Sequence, residues 1–261
     1  MEPDEYLKMA EVEDRMWYFR SLHGHVAREL ATAGLKEGAA VLDAGCGTGG
    51  LLLRARGFQP RLRWSGIDLM PLACELARRR CGAAVDIREA SITALPFAGE
   101  SFDAVVSVDV IYHVDDPEIA MAEFFRVLRP GGLLVINVPA YMWMWSYHDD
   151  AVHTKHRYTR PEVAALLRAA GFAQQRLTHW NALPFPLVWA KRKLFHTTAD
   201  TSDVKDYPAP IDAMFRTMMA IEHAWLRAGG NWAWGTSVFA VARKPEDAMR
   251  RIASHSRPSL A

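Results

Sequence analysis

The sequence predicts an α/β fold in which a mostly parallel sheet is covered by helices on both faces. Short apolar and β-branched runs alternate with helical segments from Ala39 to Thr178, which implies parallel strands joined by right-handed crossovers. The first run leads into a glycine-rich stretch, "VLDAGCGTGG" (residues 41–50), placed where open sheets bind ligands. A final apolar run, "TSVFAVARK", comes after a long helical segment without a crossover unit of the earlier kind.

From the N-terminus, residues 5–33 read as helical, with apolar positions at helical spacing through Leu30 and Gly34 as a stop. Ala39–Ala44 reads as a buried strand and Leu51–Arg56 as helix. Arg63–Ile67 is a second strand ended by Asp68, and Pro71–Arg80 a helix with proline in its first turn. Ala84–Ile87 and the β-branched Phe102–Val108 are strands three and four. Pro117–Leu128 is an amphipathic helix closed by Arg129-Pro130-Gly131-Gly132, and Leu133–Val138 a fifth strand. Pro161–Ala170 is a helix stopped by Gly171, and a sixth strand lies near Ala173–Thr178. Residues 180–235 are rich in Trp and Pro and include a helical stretch, "IDAMFRTMMAIEHAWLRAGG". The polar tail after Lys244 is expected to fray.

Composition narrows the function classes. A formal net charge of +1 gives no reason to expect nucleic acid as a partner. Three cysteines in an α/β chain of 261 residues do not read as a disulfide framework, so a reducing cytoplasm is the expected compartment. The acidic start, Met1-Glu2-Pro3-Asp4-Glu5, is not a secretory signal, and no uninterrupted apolar run is long enough to span a membrane.

Gly45-Cys46-Gly47-Thr48-Gly49-Gly50 fits the dinucleotide pattern G-x-G-x-x-G, and Asp68 falls where a ribose-binding acid belongs. A nicotinamide-dependent oxidoreductase is therefore one reading. Asp43 argues against it. Two unit charges 4 Å apart interact by about 4 kcal/mol at an effective dielectric near 20. That interaction repels a pyrophosphate and attracts a sulfonium or an ammonium group. Asp43 as a mere helix cap or loop-ordering residue is the plainer alternative.

"VLDAGCGTG" resembles the first motif of the Rossmann-like, class I S-adenosylmethionine-dependent methyltransferases, in a type 11-like bacterial subfamily. "WSGIDLM", "ITALPFAGESFDAVVSVDVIYHV" and "LRPGGLLVINVP" continue the resemblance in order, over residues 38–178. It implies a doubly wound, seven-stranded sheet whose last strand is reversed, S-adenosyl-L-methionine as cofactor, and methyl transfer as the reaction. On matching positions, Asp43, Gly45, Cys46, Gly47 and Gly49 line the methionine side, Asp68 binds both ribose hydroxyls and Leu69 packs on adenine. Ser91 stands where the family has an Asp toward the adenine amino group, a weaker and neutral acceptor. Ile92 supplies a backbone N–H, and Asp109 and Val110 face the methyl donor. In "MWYFRSLHGHV", Tyr18 and Arg20 hold the methionine carboxylate, or belong to a packing helix with snorkelling polar ends.

A sulfonium methyl is already activated, so catalysis needs alignment, with proton removal only for a weakly acidic acceptor. His113, after strand four, is a base or a structural residue. "AYMWMWSYHDDAVHTKHRYT" resembles a segment that lies over the acceptor pocket in a bacterial subfamily. It offers His148 and His153 as bases and Tyr141, Arg157 and Tyr158 as acceptor contacts. Its His spacing fits no tight metal-ligand rule, so no metal is expected. The Trp-rich segment reads as a helical lid or dimer face. A sharper reading is a peripheral membrane contact, since "LPFPLVWAKRKLF" sets apolar residues beside Lys191, Arg192 and Lys193, although Pro184 and Pro186 interrupt its early turns.

The expectation is one domain over residues 1–245: a helical cover (1–37), a cofactor-binding core (38–179), a helical lid (180–235) and a last strand (236–243), with a flexible tail over 246–261. The acceptor is a small or partly apolar molecule, or a lipid-linked one. A non-methyl-transfer use of the sulfonium and a non-catalytic scaffold stay open beside the oxidoreductase, and the sequence leaves the oligomeric state open.

Overall fold

A computed structural model describes residues 2–194 and 202–246. Seven strands form one sheet: β1 (Ala40–Ala44), β2 (Arg63–Asp68), β3 (Asp86–Glu89), β4 (Phe102–Val108), β5 (Leu128–Pro139), β6 (Ala173–Trp180) and β7 (Ser237–Arg243). Their order is β3-β2-β1-β4-β5-β7-β6. All neighbours pair in parallel except β7, which runs antiparallel to both β5 and β6. The reversed last strand is thus wedged between β5 and β6.

The central strands are apolar on both faces, as a sheet covered twice requires. Val41, Val106 and Val135 face one side, where helices α2 (Trp17–Thr32), α3 (Gly50–Phe58) and α9 (Ala209–Arg227) close the core. Leu42, Val105 and Leu134 face the other, under α5 (Pro117–Val127) and α7 (Arg160–Ala169). Phe124, Met121 and Leu167 are fully buried there, and burying each such side chain contributes about 1.5–3 kcal/mol. The remaining helices are α1 (Pro3–Val12), α4 (Pro71–Cys81), α6 (Tyr147–Ala151) and α8 (Phe185–Leu194).

Three elements depart from the sequence reading. The helix expected over 5–33 is broken after Val12, because Glu13 turns inward to meet Thr48 and Arg80. The chain restarts as α2, whose first N–H, on Trp17, is capped by Asp212 of α9 at 2.9 Å. Arg129–Gly132 does not close a helix but sits within β5 as an irregularity: Phe102 pairs with Leu128 and Ala104 with Leu133. The Trp-rich segment is also not one lid. α9 packs into the core, where Phe215 stacks on Trp17 with ring centroids 4.5 Å apart, while α8 stays at the surface. The tail expected from 246 lies outside the described residues beyond Glu246.

Candidate active site

The glycine loop leaves β1 and turns at once. Gly45, Gly47 and Gly49 have φ of 95°, 51° and 87°, in the left-handed region that glycine occupies without penalty. Gly45 is also closed to any side chain, since a Cβ there would lie 2.2 Å from Cγ2 of Val110. The backbone N–H groups of Gly45 and Cys46 both donate to the Ile67 carbonyl at 2.8 and 2.7 Å. The loop is thereby pinned between the ends of β2 and β4.

A cavity of about 350 Å³ opens beside it, within the usual size of small-molecule sites, about 300–1,000 Å³. Asp43, Gly45, Cys46, Gly47, Asp68 and Leu69 line one side, and Ser91, Ile92, Asp109, Val110 and His113 the other. Tyr6 and Met9 of α1, with Glu13, cover it. Asp68 is held in place: Oδ2 accepts from Gly47 N at 2.9 Å, and Oδ1 from Met70 N at 3.0 Å and the Tyr6 hydroxyl at 3.4 Å. Each carboxylate oxygen has a further lone pair. Asp43 is different. It is 1% exposed, and neither of its oxygens has a partner among the described residues. Burial, and then the nearby Asp68 charge, push it up to about 8. A buried carboxylate without a donor is costly unless a cation meets it.

A second cavity, about 180 Å³, adjoins the first. The two share Met9, Phe19, Asp109 and His113. Asp109 comes directly after β4 with φ of 58°. Its Oδ2 accepts from the Tyr18 hydroxyl at 2.8 Å and its Oδ1 from Asn137 Nδ2 at 2.7 Å. Desolvation raises it to about 6 against these two donors. His113 Nδ1 donates to the His153 carbonyl at 3.2 Å, so Nε2 is the basic nitrogen of the ring. Burial lowers His113 to about 4. Behind them lie Arg157, paired with Asp149 at 2.7 Å and fully buried, and Arg192, paired with Asp203 at 2.8 Å.

The sequence-predicted residues divide accordingly. Tyr18 reaches the second cavity, on Asp109, not the first. Arg20 lines neither cavity and turns toward Arg54, because residues two apart on α2 face different ways. Gly49 packs on Ala77 and Cys81 of α4 instead of lining the site. The Ser91 hydroxyl is engaged with Thr93 Oγ1 at 2.7 Å. His148 lines the second cavity, its Nδ1 accepting from Asp203 N at 3.1 Å, and burial lowers it to about 4. His153 lines the rim of the first cavity, exposed and paired with Glu2. Of the three acceptor contacts expected, Arg157 alone lines the second cavity. Tyr158, its neighbour in extended chain, points into the opposite core, and Tyr141 bonds His179. Sequence reasoning missed Tyr6, Met9, Glu13, Asn137, Arg192 and Asp203; the acidic, amphipathic start of the chain was the one signal for the first three.

A family model described as "Methyltransferase domain" matches residues 42–136. The chain is 30% identical over 164 residues to a ubiquinone biosynthesis O-methyltransferase of Cereibacter sphaeroides, covering 55% of this chain and 64% of that one. It is 34% identical over 163 residues to a probable S-adenosylmethionine-dependent methyltransferase of Mycolicibacterium smegmatis, covering 61% and 60%. Residues 42–136 carry a methyltransferase domain of the class I type. The chain's match spans 41–64% of the lengths of the first curated relatives. The fold of the chain is shared with the Haloferax volcanii chain solved in complex with a methyltransferase activator (TM-score 0.61, 22% identity, 92% and 98% covered). It is also shared with a [4+2]-cyclase (TM-score 0.57, 21% identity, 84% and 80% covered), so the fold alone does not set the reaction. The family's cofactor is S-adenosylmethionine, and the first cavity fits it: an unpartnered buried carboxylate for its cationic end, a loop open to close approach, and Asp68 for a ribose.

Proposed function

We propose that the chain transfers a methyl group from S-adenosylmethionine to a small, partly apolar acceptor held in the second cavity. The observation that carries this reading is the junction of the two cavities at Asp109 and His113, with Asp43 unpartnered on the far side of the first. When bound, S-adenosylmethionine supplies an electrophilic methyl on a sulfonium and departs as a neutral thioether.

This chain's residues do the rest. Asp43 attracts the cationic end, Asp68 receives the ribose hydroxyls, and α1 excludes water through Tyr6 and Met9. At the junction Asp109 receives the proton that the acceptor's nucleophile gives up. A group near pH 6 is a better-matched base for neutral conditions than His113, which burial holds near 4. His113 and Tyr18 orient the acceptor and the carboxylate. His148 cannot accept through Nδ1, which the Asp203 N–H already occupies. The mixture of aromatic side chains with Arg157 and Arg192 suits an acceptor that is both apolar and polar, in keeping with the quinone-type relative.

Calorimetric titration tests the reading. Micromolar binding of S-adenosylhomocysteine, no binding of NADH, and loss of affinity in Asp43→Asn are the expected results. Binding of NADH with Asp43→Asn unimpaired would overturn it.

A further inference from the structure

Aromatic rings form a band of two clusters, one at the C-terminal end of α9 and one beside α8, joined through the Trp232 carbonyl and His179. Trp232 lies 6.3 Å from Trp225 and 6.2 Å from Trp234, centroid to centroid. Its carbonyl accepts from the backbone N–H of His179 at 3.5 Å, and the His179 ring stacks on Tyr141 at 5.2 Å. Tyr141 stacks on Trp143 at 5.3 Å, and Trp143 meets Phe185 edge-on at 6.1 Å. These indoles are not core residues: Trp143 is 55% exposed, and Trp225 and Trp234 each 50%. Leu187 and Trp189 extend the exposed face along α8.

The charge beside the α8 end of the band has one dominant sign. Residues 173–199 contain no Asp or Glu. Lys191 and Arg192 share a single carboxylate, Asp203, and Lys193 donates to the Trp145 carbonyl at 2.9 Å with no acid partner among the described residues. Arg160, near Tyr141 and His179, has no acid partner there either. Single exposed apolar residues are ordinary on protein surfaces. Two clusters of exposed indoles beside uncompensated cations are the composition of a surface that lies at a lipid–water boundary, rings at the edge of the acyl region and cations at the phosphates. The inner side of the same α8 lines the second cavity with Val188 and Arg192.

We propose that this band docks the protein on the surface of an anionic lipid bilayer. α8 then separates the lipid surface from the second cavity. Uptake of an amphiphilic acceptor from that surface is a corollary that rests on the methyl-transfer reading; the docking does not.

The test is co-sedimentation of the full chain with vesicles of phosphatidylglycerol mixed with phosphatidylcholine, and of phosphatidylcholine alone, at low and high salt. Partition about ten-fold higher on the anionic vesicles at low salt is expected. Trp143→Ser with Trp189→Ser, at two exposed positions, is expected to lower partition about ten-fold without moving the melting temperature. Phe58→Ser, an exposed ring outside the band, is expected to leave partition unchanged. Absence of partition on either vesicle, or partition indifferent to the double substitution, would overturn the proposal. So would a dimer in light scattering that the double substitution dissolves, which gives the face to a second copy. Failure of the methyl-transfer reading registers in the cofactor titration instead, a measurement independent of vesicles.

Discussion

The Tyr18 hydroxyl donates to Oδ2 of Asp109 at 2.8 Å, joining residues 91 apart in sequence at the junction of the two cavities. The bond favours the ionised carboxylate, in opposition to the desolvation that raises it to about 6. A hydrogen bond to a charged group contributes about 1.5–3 kcal/mol, and one pKa unit corresponds to about 1.4 kcal/mol. Tyr18→Phe is therefore expected to move the acid limb of the pH–rate profile upward by roughly one unit or more. Turnover falls about ten-fold near pH 6 and recovers above pH 8. An equal loss at every pH would reduce Tyr18 to a packing role.

Asp43 links cofactor affinity to stability. Its native value of about 8 lies above the roughly 3.9 of an unfolded aspartate, so the folded chain binds the extra proton between them. The contribution of Asp43 to stability is full below about pH 4 and is lost as pH rises toward 8. Asp43→Asn removes that decline and is expected to stabilise the ligand-free protein at pH 8 by roughly 1–3 kcal/mol, with little gain at pH 4. The same change is expected to weaken S-adenosylmethionine binding by about 10–100-fold, since a charge-assisted contact is lost. Melting curves across this range and one titration check both halves.

What was legible in the sequence depends on how locally each feature is encoded. The glycine loop, Asp43 and Asp68 were readable because strand, turn and acid fall within residues 39–68, each with its own conformational demand. β4 was readable because Phe102, Ala104, Val105, Val106 and Val108 put apolar side chains on both of its faces, as a strand covered on both faces requires. The cover over the first cavity was not. Tyr6 meets Asp68 across 62 residues and Glu13 meets Thr48 across 35, and helical periodicity from 5 to 33 hid the break that lets them do so. Arg157 and Tyr158 show the other limit. In extended chain, adjacent side chains point to opposite sides, and composition alone does not say which one faces the cavity. Arg157 faces it; Tyr158 does not.

Glu222 holds the end of β6 against α9. It is wholly buried, and its two oxygens accept from the backbone N–H groups of Asn181, Ala182 and Leu183 at 2.6, 2.8 and 3.1 Å. Glu222→Ala strands three donors in a dry interior, at about 1–3 kcal/mol each before relaxation. A loss of roughly 3–5 kcal/mol in urea denaturation is expected, with Glu222→Gln less damaging because it keeps one acceptor oxygen. A loss under about 1 kcal/mol for the alanine variant would mean that water reaches these amides.

Gly45 and Val110 form a steric pair in the lining of the first cavity. A Cβ on Gly45 would lie 2.2 and 2.6 Å from the Val110 methyls and 2.9 Å from its Cβ. The backbone at φ of 95° adds a conformational penalty that any side chain there incurs, about 1–2 kcal/mol. Gly45→Ala is expected to destabilise the chain by roughly 2–4 kcal/mol and to abolish cofactor binding. Val110→Ala removes the two closest atoms and leaves the φ strain. In the Gly45→Ala background it is expected to restore about 1–2 kcal/mol, whereas alone it costs about 1. A double-mutant cycle in denaturant separates the two contributions. Strict additivity would show that the strained backbone, and not the contact with Val110, is what reserves this position for glycine.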